Sequence, residues 1–128
     1  MSNEEPLRYI ITAKGSSPFN HLEYEQKFAQ IKKIIEHYSE IKIIQQLDKL
    51  YSIVATSTKE DFEKLFEVIL KYEREYPDSP SKLAQQIMNW KIQGEKSKFR
   101  VPKDKIPKDL EEIAVVEIDR KEFLGGRR

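Results

Sequence analysis

Apolar and polar positions first alternate between Leu7 and Ala13, with Leu7, Tyr9, Ile11 and Ala13 on one side and Arg8, Ile10 and Thr12 on the other. A period of two predicts a half-buried strand, because successive side chains leave a pleated backbone on opposite faces. The stretch from Lys14 to Asn20, carrying Gly15, Ser16, Ser17 and Pro18, then reads as a loop. Beyond it the period changes. Tyr24, Phe28, Ile31, Ile35 and Tyr38 recur at steps of four and three residues, and Asn20 followed by Glu23 supplies a capping pair, so an amphipathic helix is predicted.

Ile41 to Leu47 and Leu50 to Thr56 predict two strands joined by a tight turn at Asp48-Lys49, the second rich in β-favouring Tyr51, Ile53 and Val54. Ile43, Leu47, Leu50 and Val54 also fit helical spacing, and a helix over 41–55 would make the protein mostly α. Ser57 and Thr58 are alternative caps for a helix displaying Phe62, Leu65, Phe66, Ile69 and Tyr72, which Pro77 stops. Asp78-Ser79-Pro80 signals a further helix, with Leu83, Ile87 and Trp90 on one face and Gly94 at its end. Lys98 to Val101 reads as a short strand, Pro102 to Pro107 as a loop and Ile113 to Ile118 as a β-run.

This order predicts an α+β fold: a ferredoxin-like βαββαβ sandwich with an extra helix and a C-terminal extension. Two helices would cover one face of an antiparallel sheet whose first and third strands lie centrally. At 128 residues the chain suits one domain, read as 7–119 with a basic loop at 94–110. Residues 1–6 read as a disordered N-terminus and 120–128 as a flexible basic tail.

Composition narrows the chemistry. Charged residues make up 35% of the chain, above the usual quarter, so the surface is expected to be heavily solvated. Net charge is only +1, which places any electrostatic function in a local cluster. The absence of cysteine excludes disulfides, thiolate catalysis and Cys-based zinc sites. Met1 to Pro6 has neither a basic n-region nor an apolar core, and no apolar run reaches membrane-spanning length; a cytoplasmic location is expected. Abundant Lys, Glu and Ile fit a thermophile.

No catalytic motif stands out, and no cofactor is implied. His21 and His37, at opposite ends of one predicted helix, would lie roughly 24 Å apart and cannot share a metal. His37 beside Glu36 and Glu40 reads as a solvated face rather than a general base. Lys14-Gly15-Ser16-Ser17 sits between strand and helix, where phosphate loops occur, but lacks their second glycine, and Pro18 removes an N–H donor. Glu117 and Asp119 fall on one strand face and would be the metal ligands of a nuclease; edge-strand charge that blocks aggregation explains them more simply.

Lys49-Leu50-Tyr51-Ser52-Ile53-Val54-Ala55-Thr56 resembles part of the third-strand signature of the RNA-recognition motif. It keeps a leading base, one aromatic and the Val, and lacks both glycines and the final aromatic. Tyr9 would be the stacking partner on the first strand. Displaying Tyr9 on the open face would turn Arg8 and Thr12 into the core, so alternation places Tyr9 inside and no family is assigned. The open face would instead carry Arg8, Ile10 and Thr12 beside Ser52 and Val54, with Lys42, Ile44 and Gln46 towards one edge.

The strongest local signal is charge. From Lys91 to Lys108 stand Lys91, Lys96, Lys98, Arg100, Lys103, Lys105 and Lys108 against Glu95 and Asp104, with Trp90 and Phe99 interleaved. Such a stretch can follow a phosphate backbone and stack bases. Between Glu60 and Asp78 seven acidic residues face three basic ones, so the molecule is expected to be bipolar. The preferred reading is a non-catalytic accessory subunit of a nucleic-acid-handling assembly, with Phe99 and those seven cations as its contacts. Its rival is a protein-binding adaptor, regulator or inhibitor using Trp90, Ile10, Ile44 and Val54, or a homodimer through the open sheet face. A metal-dependent nuclease comes third, and no membrane partner is expected.

Overall fold

Strand β1, Leu7–Ala13, buries Leu7, Tyr9, Ile11 and Ala13 and leaves Arg8, Ile10 and Thr12 half-buried, as its alternation predicts. The computed structural model describes residues 7–15, 20–75, 87–95 and 100–119, with the backbone alone at 72–75 and 87–91. On one side β1 pairs antiparallel with β3 (Ser52–Ser57), setting Tyr9 opposite Ala55 and Ile11 opposite Ile53. On the other lies β6 (Ala114–Ile118), with Val116 opposite Ile11. Strand β2 (Lys42–Leu47) pairs antiparallel with β3, so the four-stranded sheet runs β2-β3-β1-β6 with β3 and β1 central.

One sheet face is covered by helices. Helix α1 (His21–Ile35) starts where the Asn20 side chain accepts the Glu23 amide, and it buries Phe28, Ile31 and Ile35. Helix α2 (Lys59–Phe66) is capped by Thr58 and sends Phe62 and Phe66 edge-on to the Tyr9 ring, with centroids 5.0 and 5.8 Å away. The short α3 (Lys108–Glu111) adds Leu110 to the same core. This is an α+β architecture built on a four-stranded antiparallel sheet.

The 41–55 stretch is a hairpin, not a helix: a 3₁₀ turn at Asp48–Leu50 and a left-handed Tyr51 (φ 52°) turn β2 into β3. A register shift between Ile43 and Gln45 inserts Ile44 as an extra residue, and on this edge strand Lys42 to Gln46 are all exposed rather than alternating. Gly15 lies where a Cβ would collide with the Tyr24 ring, which stacks on Tyr51.

Two predicted helices are corrected. Helix α2 stops at Phe66 instead of running to Pro77, because Glu67 turns left-handed (φ 51°) and its amide returns to the Glu63 carbonyl. The Glu63 carboxylate then accepts the Leu70 amide at 2.8 Å, which opens strand β4 (Leu70–Glu75). Its partner in a two-stranded ribbon is β5 (Ile87–Ile92), so the helix expected up to Gly94 is a strand over these residues. The helix-start signal at 78–80 falls outside the described residues, as do 1–6 and 120–128. The short strand expected at 98–101 reduces, over its described residues, to a single bridge from Arg100 to Glu117, and the expected loop contains a 3₁₀ turn at Lys103–Lys105.

Candidate functional site

The basic segment is anchored where it is described. Val101, Ile106 and Leu110 are buried in the core, and Val101 donates its amide to Val116 at 2.9 Å, so the chain is pinned at both ends of the 102–107 stretch. Between the pins, Pro102 and Pro107 restrict the backbone and the 3₁₀ turn carries Lys103 and Lys105. Lys103 and Lys108 are exposed and Lys105 is half-buried. Among the described residues none of these three forms an ion pair. A pinned basic turn presents its charges at less entropic cost than a free loop.

The other predicted contacts fare differently. Arg100 is exposed, but its guanidinium meets the Glu117 carboxylate at 3.1 Å. Lys91 and Trp90 lie on β5, opposite Lys71 and Tyr72. Lys96, Lys98 and Phe99 lie outside the described residues. Lys71 is exposed, and its backbone stands in register with that of Lys91 on the ribbon. A groove of about 190 Å³ links the base of this ribbon, through Ile69 and Gln93, to Pro102 and Lys105, with Glu67 and Glu95 on its walls. The structure therefore brings Lys105 to the ribbon, a proximity that hydrophobic patterning along the chain does not reveal.

On the open sheet face, Ile10 is half-buried, while Ile44 on the edge strand is 44% exposed. Val54, in the same sheet, is buried at 6% exposure. Arg8 and Lys42 both stand opposite Thr56, one on each neighbouring strand, forming a cross-strand row. This row lines a groove of about 440 Å³ together with Glu40 and Asp61. Sequence reading placed Arg8 and Lys42 on this face but missed Thr56, Glu40 and Asp61, which only strand register assembles.

Glu117 is engaged by Arg100, Asp119 is buried with its amide donating to the Arg8 carbonyl, and no trio of His, Asp or Glu among the described residues is placed to hold a metal ion. His21, the first residue of α1, lies 3.3 Å from the Tyr51 hydroxyl, and exposed His37 lies beyond the other end of that helix. Burial pushes the Tyr9 phenol well above its usual range. Tyr38 is raised too, first by burial and then by donating to the Asp109 carboxylate.

Among the described residues no helix is long and apolar enough to cross a membrane. No protein-family model matches the chain, and neither a curated protein nor a solved structure is detectably similar to it.

Proposed function

We propose that the protein is a non-catalytic binding subunit of a nucleic-acid-handling assembly, touching phosphate through the segment from Lys91 to Lys108 on a ferredoxin-like scaffold. The ferredoxin-like reading draws on the order β2-β3-β1-β6 with helices on one face. The single observation that carries the functional reading is the turn from Pro102 to Lys108: buried Val101, Ile106 and Leu110 fix the backbone, and Lys103, Lys105 and Lys108 lack carboxylate partners among the described residues. Arg100, being paired with Glu117, contributes less. Exposed Lys71 on β4, in backbone register with Lys91, adds a cation on the ribbon.

Fluorescence anisotropy with labelled single-stranded RNA and DNA at low salt tests this. Lys103→Glu, Lys105→Glu and Lys108→Glu together should weaken binding by about tenfold or more and flatten the salt dependence by about 0.7 for each phosphate no longer neutralised. Undiminished binding by the folded triple variant overturns the assignment.

A second reading is favoured by one observation: Ile43 and Ile44 are 40% and 44% exposed on the edge strand β2. Edge strands with exposed apolar residues recruit partner strands, either of another protein or of a second copy. A defined co-purifying protein, or a homodimer, that survives high salt and disappears with Ile44→Lys would support this adaptor reading over the first.

A further inference from the structure

The four-stranded sheet has two edges, and among the described residues only one of them is met by further chain. Beyond β6, the Val101 amide donates to the Val116 carbonyl at 2.9 Å and Arg100 bridges to Glu117, so part of that edge is already occupied. Beyond β2 no strand or bridge is described, and Lys42 to Gln46 are all exposed. An uncovered edge offers its outward N–H and C=O groups to any strand that fits, and proteins usually guard it with charge, proline or a bulge. Strand β2 has no proline, and its one charge, Lys42, stands at its start. The bulge at Ile44 twists the edge but leaves Gln45, Gln46 and Leu47 in unbroken register with Val54, Ile53 and Ser52.

The charges at the two ends of this edge are opposite. Lys42 opens β2, and Asp48 is the first charge beyond its other end. Six residues of extended backbone span roughly 20 Å, so the two cannot pair within one chain. Lys42 forms no ion pair among the described residues, and there the Asp48 carboxylate meets only the Gln46 side-chain amide, at 3.4 Å. A strand that is cationic at one end, anionic at the other and uncharged between is complementary to itself when reversed. A parallel copy would instead set Lys42 against Lys42 and Asp48 against Asp48.

We propose that β2 pairs antiparallel with β2 of a second copy of this chain, about a two-fold axis at Gln45, joining two four-stranded sheets into one of eight strands. The axis brings Lys42 of each copy to Asp48 of the other, so the contact is made twice by symmetry. Ile43 and Ile44, 40% and 44% exposed in the single chain, then lie against the partner strand. This dimer is the edge-strand reading above with its partner named, and it does not involve the segment at 91–108.

Sedimentation equilibrium of the full-length protein tests the pairing. The wild type should give a species of twice the chain mass with a dissociation constant below about 100 μM, and Ile44→Lys should weaken it about tenfold or more. Lys42→Glu alone opposes carboxylates at both ends of the seam and Asp48→Lys alone opposes ammonium groups, so each of these homodimers should weaken about tenfold. Mixed in equal amounts, the two variants carry complementary ends and should form a heterodimer about as tight as the wild-type dimer, an outcome that damage to either fold would not produce. A wild type that stays monomeric at about 500 μM overturns the proposal, as does a mixture that associates no more tightly than the separate variants. If the chain is monomeric while a different bound protein is lost with Ile44→Lys, self-pairing is overturned and the edge-strand reading stands. A dimer undiminished by Ile44→Lys overturns both.

Discussion

The Tyr9 hydroxyl donates to Ser57 Oγ at 2.6 Å in the buried centre of the fold, and the direction of this bond is fixed by the next one. Ser57 gives its one proton to the Glu40 carbonyl, also at 2.6 Å, so it can only accept from Tyr9. A single relay therefore ties central strand β1 to β3 and to the turn that enters β2. Removing different members leaves different groups stranded. Tyr9→Phe deletes a donor and should cost about 1 kcal/mol. Ser57→Ala strands both the buried phenol and the Glu40 carbonyl and should cost about 2–3 kcal/mol. Urea unfolding followed by circular dichroism measures both, and a Tyr9→Phe protein less stable than Ser57→Ala would refute the relay.

The same phenol predicts how stability responds to alkali. Burial holds Tyr9 above its ordinary range. A group whose folded pKa is raised contributes stability that is complete below the unfolded value of about 10 and is lost as pH climbs from there towards the folded value. Tyr38 shifts in the same direction, but it is far less buried, so Tyr9 should dominate. The difference in urea midpoint between wild type and Tyr9→Phe should be constant from about pH 7 to 9 and shrink above about 10. A gap that stays level across this window would place the Tyr9 phenol in water.

Glu67 marks where a helix became a ribbon. With φ at 51°, it pays the steric cost that a Cβ incurs in the left-handed region. Glu67→Gly should therefore stabilise the protein by about 0.5–1 kcal/mol, read as a higher urea midpoint at unchanged slope. A loss of stability would mean that the Glu67 side chain makes an interaction worth more than the strain.

That turn also explains what the sequence made legible and what it hid. Where one face of an element is dry and the other wet, residue type records the geometry: Leu7 to Ala13 alternates in sequence and in burial alike, and Phe28, Ile31 and Ile35 mark the inner face of α1. From Val68 to Lys71 burial also alternates, with Val68 and Leu70 inside and Ile69 59% exposed, but apolar Ile69 masks the period. Its four-residue spacing from Leu65 extends the helical pattern past the true end. The groove beside Thr56 is hidden for another reason. Glu40, Thr56 and Asp61 meet Arg8 only through strand pairing, and a bulge at Ile44 alters the side each β2 residue presents.

Arg100 and Glu117 bear directly on the polyanion surface. Their 3.1 Å ion pair joins side chains that are 59% and 45% exposed, so solvent screens it and its loss should cost less than about 0.5 kcal/mol. For an incoming phosphate, however, Glu117 is a competitor for the same guanidinium. Glu117→Gln removes that competing charge while retaining the side chain's size. If the segment binds nucleic acid, this variant should bind single strands several-fold more tightly at low salt, with a salt dependence steeper by about one further phosphate. Thermal unfolding of the variant should stay close to wild type, which separates a gain in binding from a change in fold. A variant with unchanged affinity and unchanged salt slope would mean that Arg100 does not face the ligand, confining the interface to the turn carrying Lys103, Lys105 and Lys108.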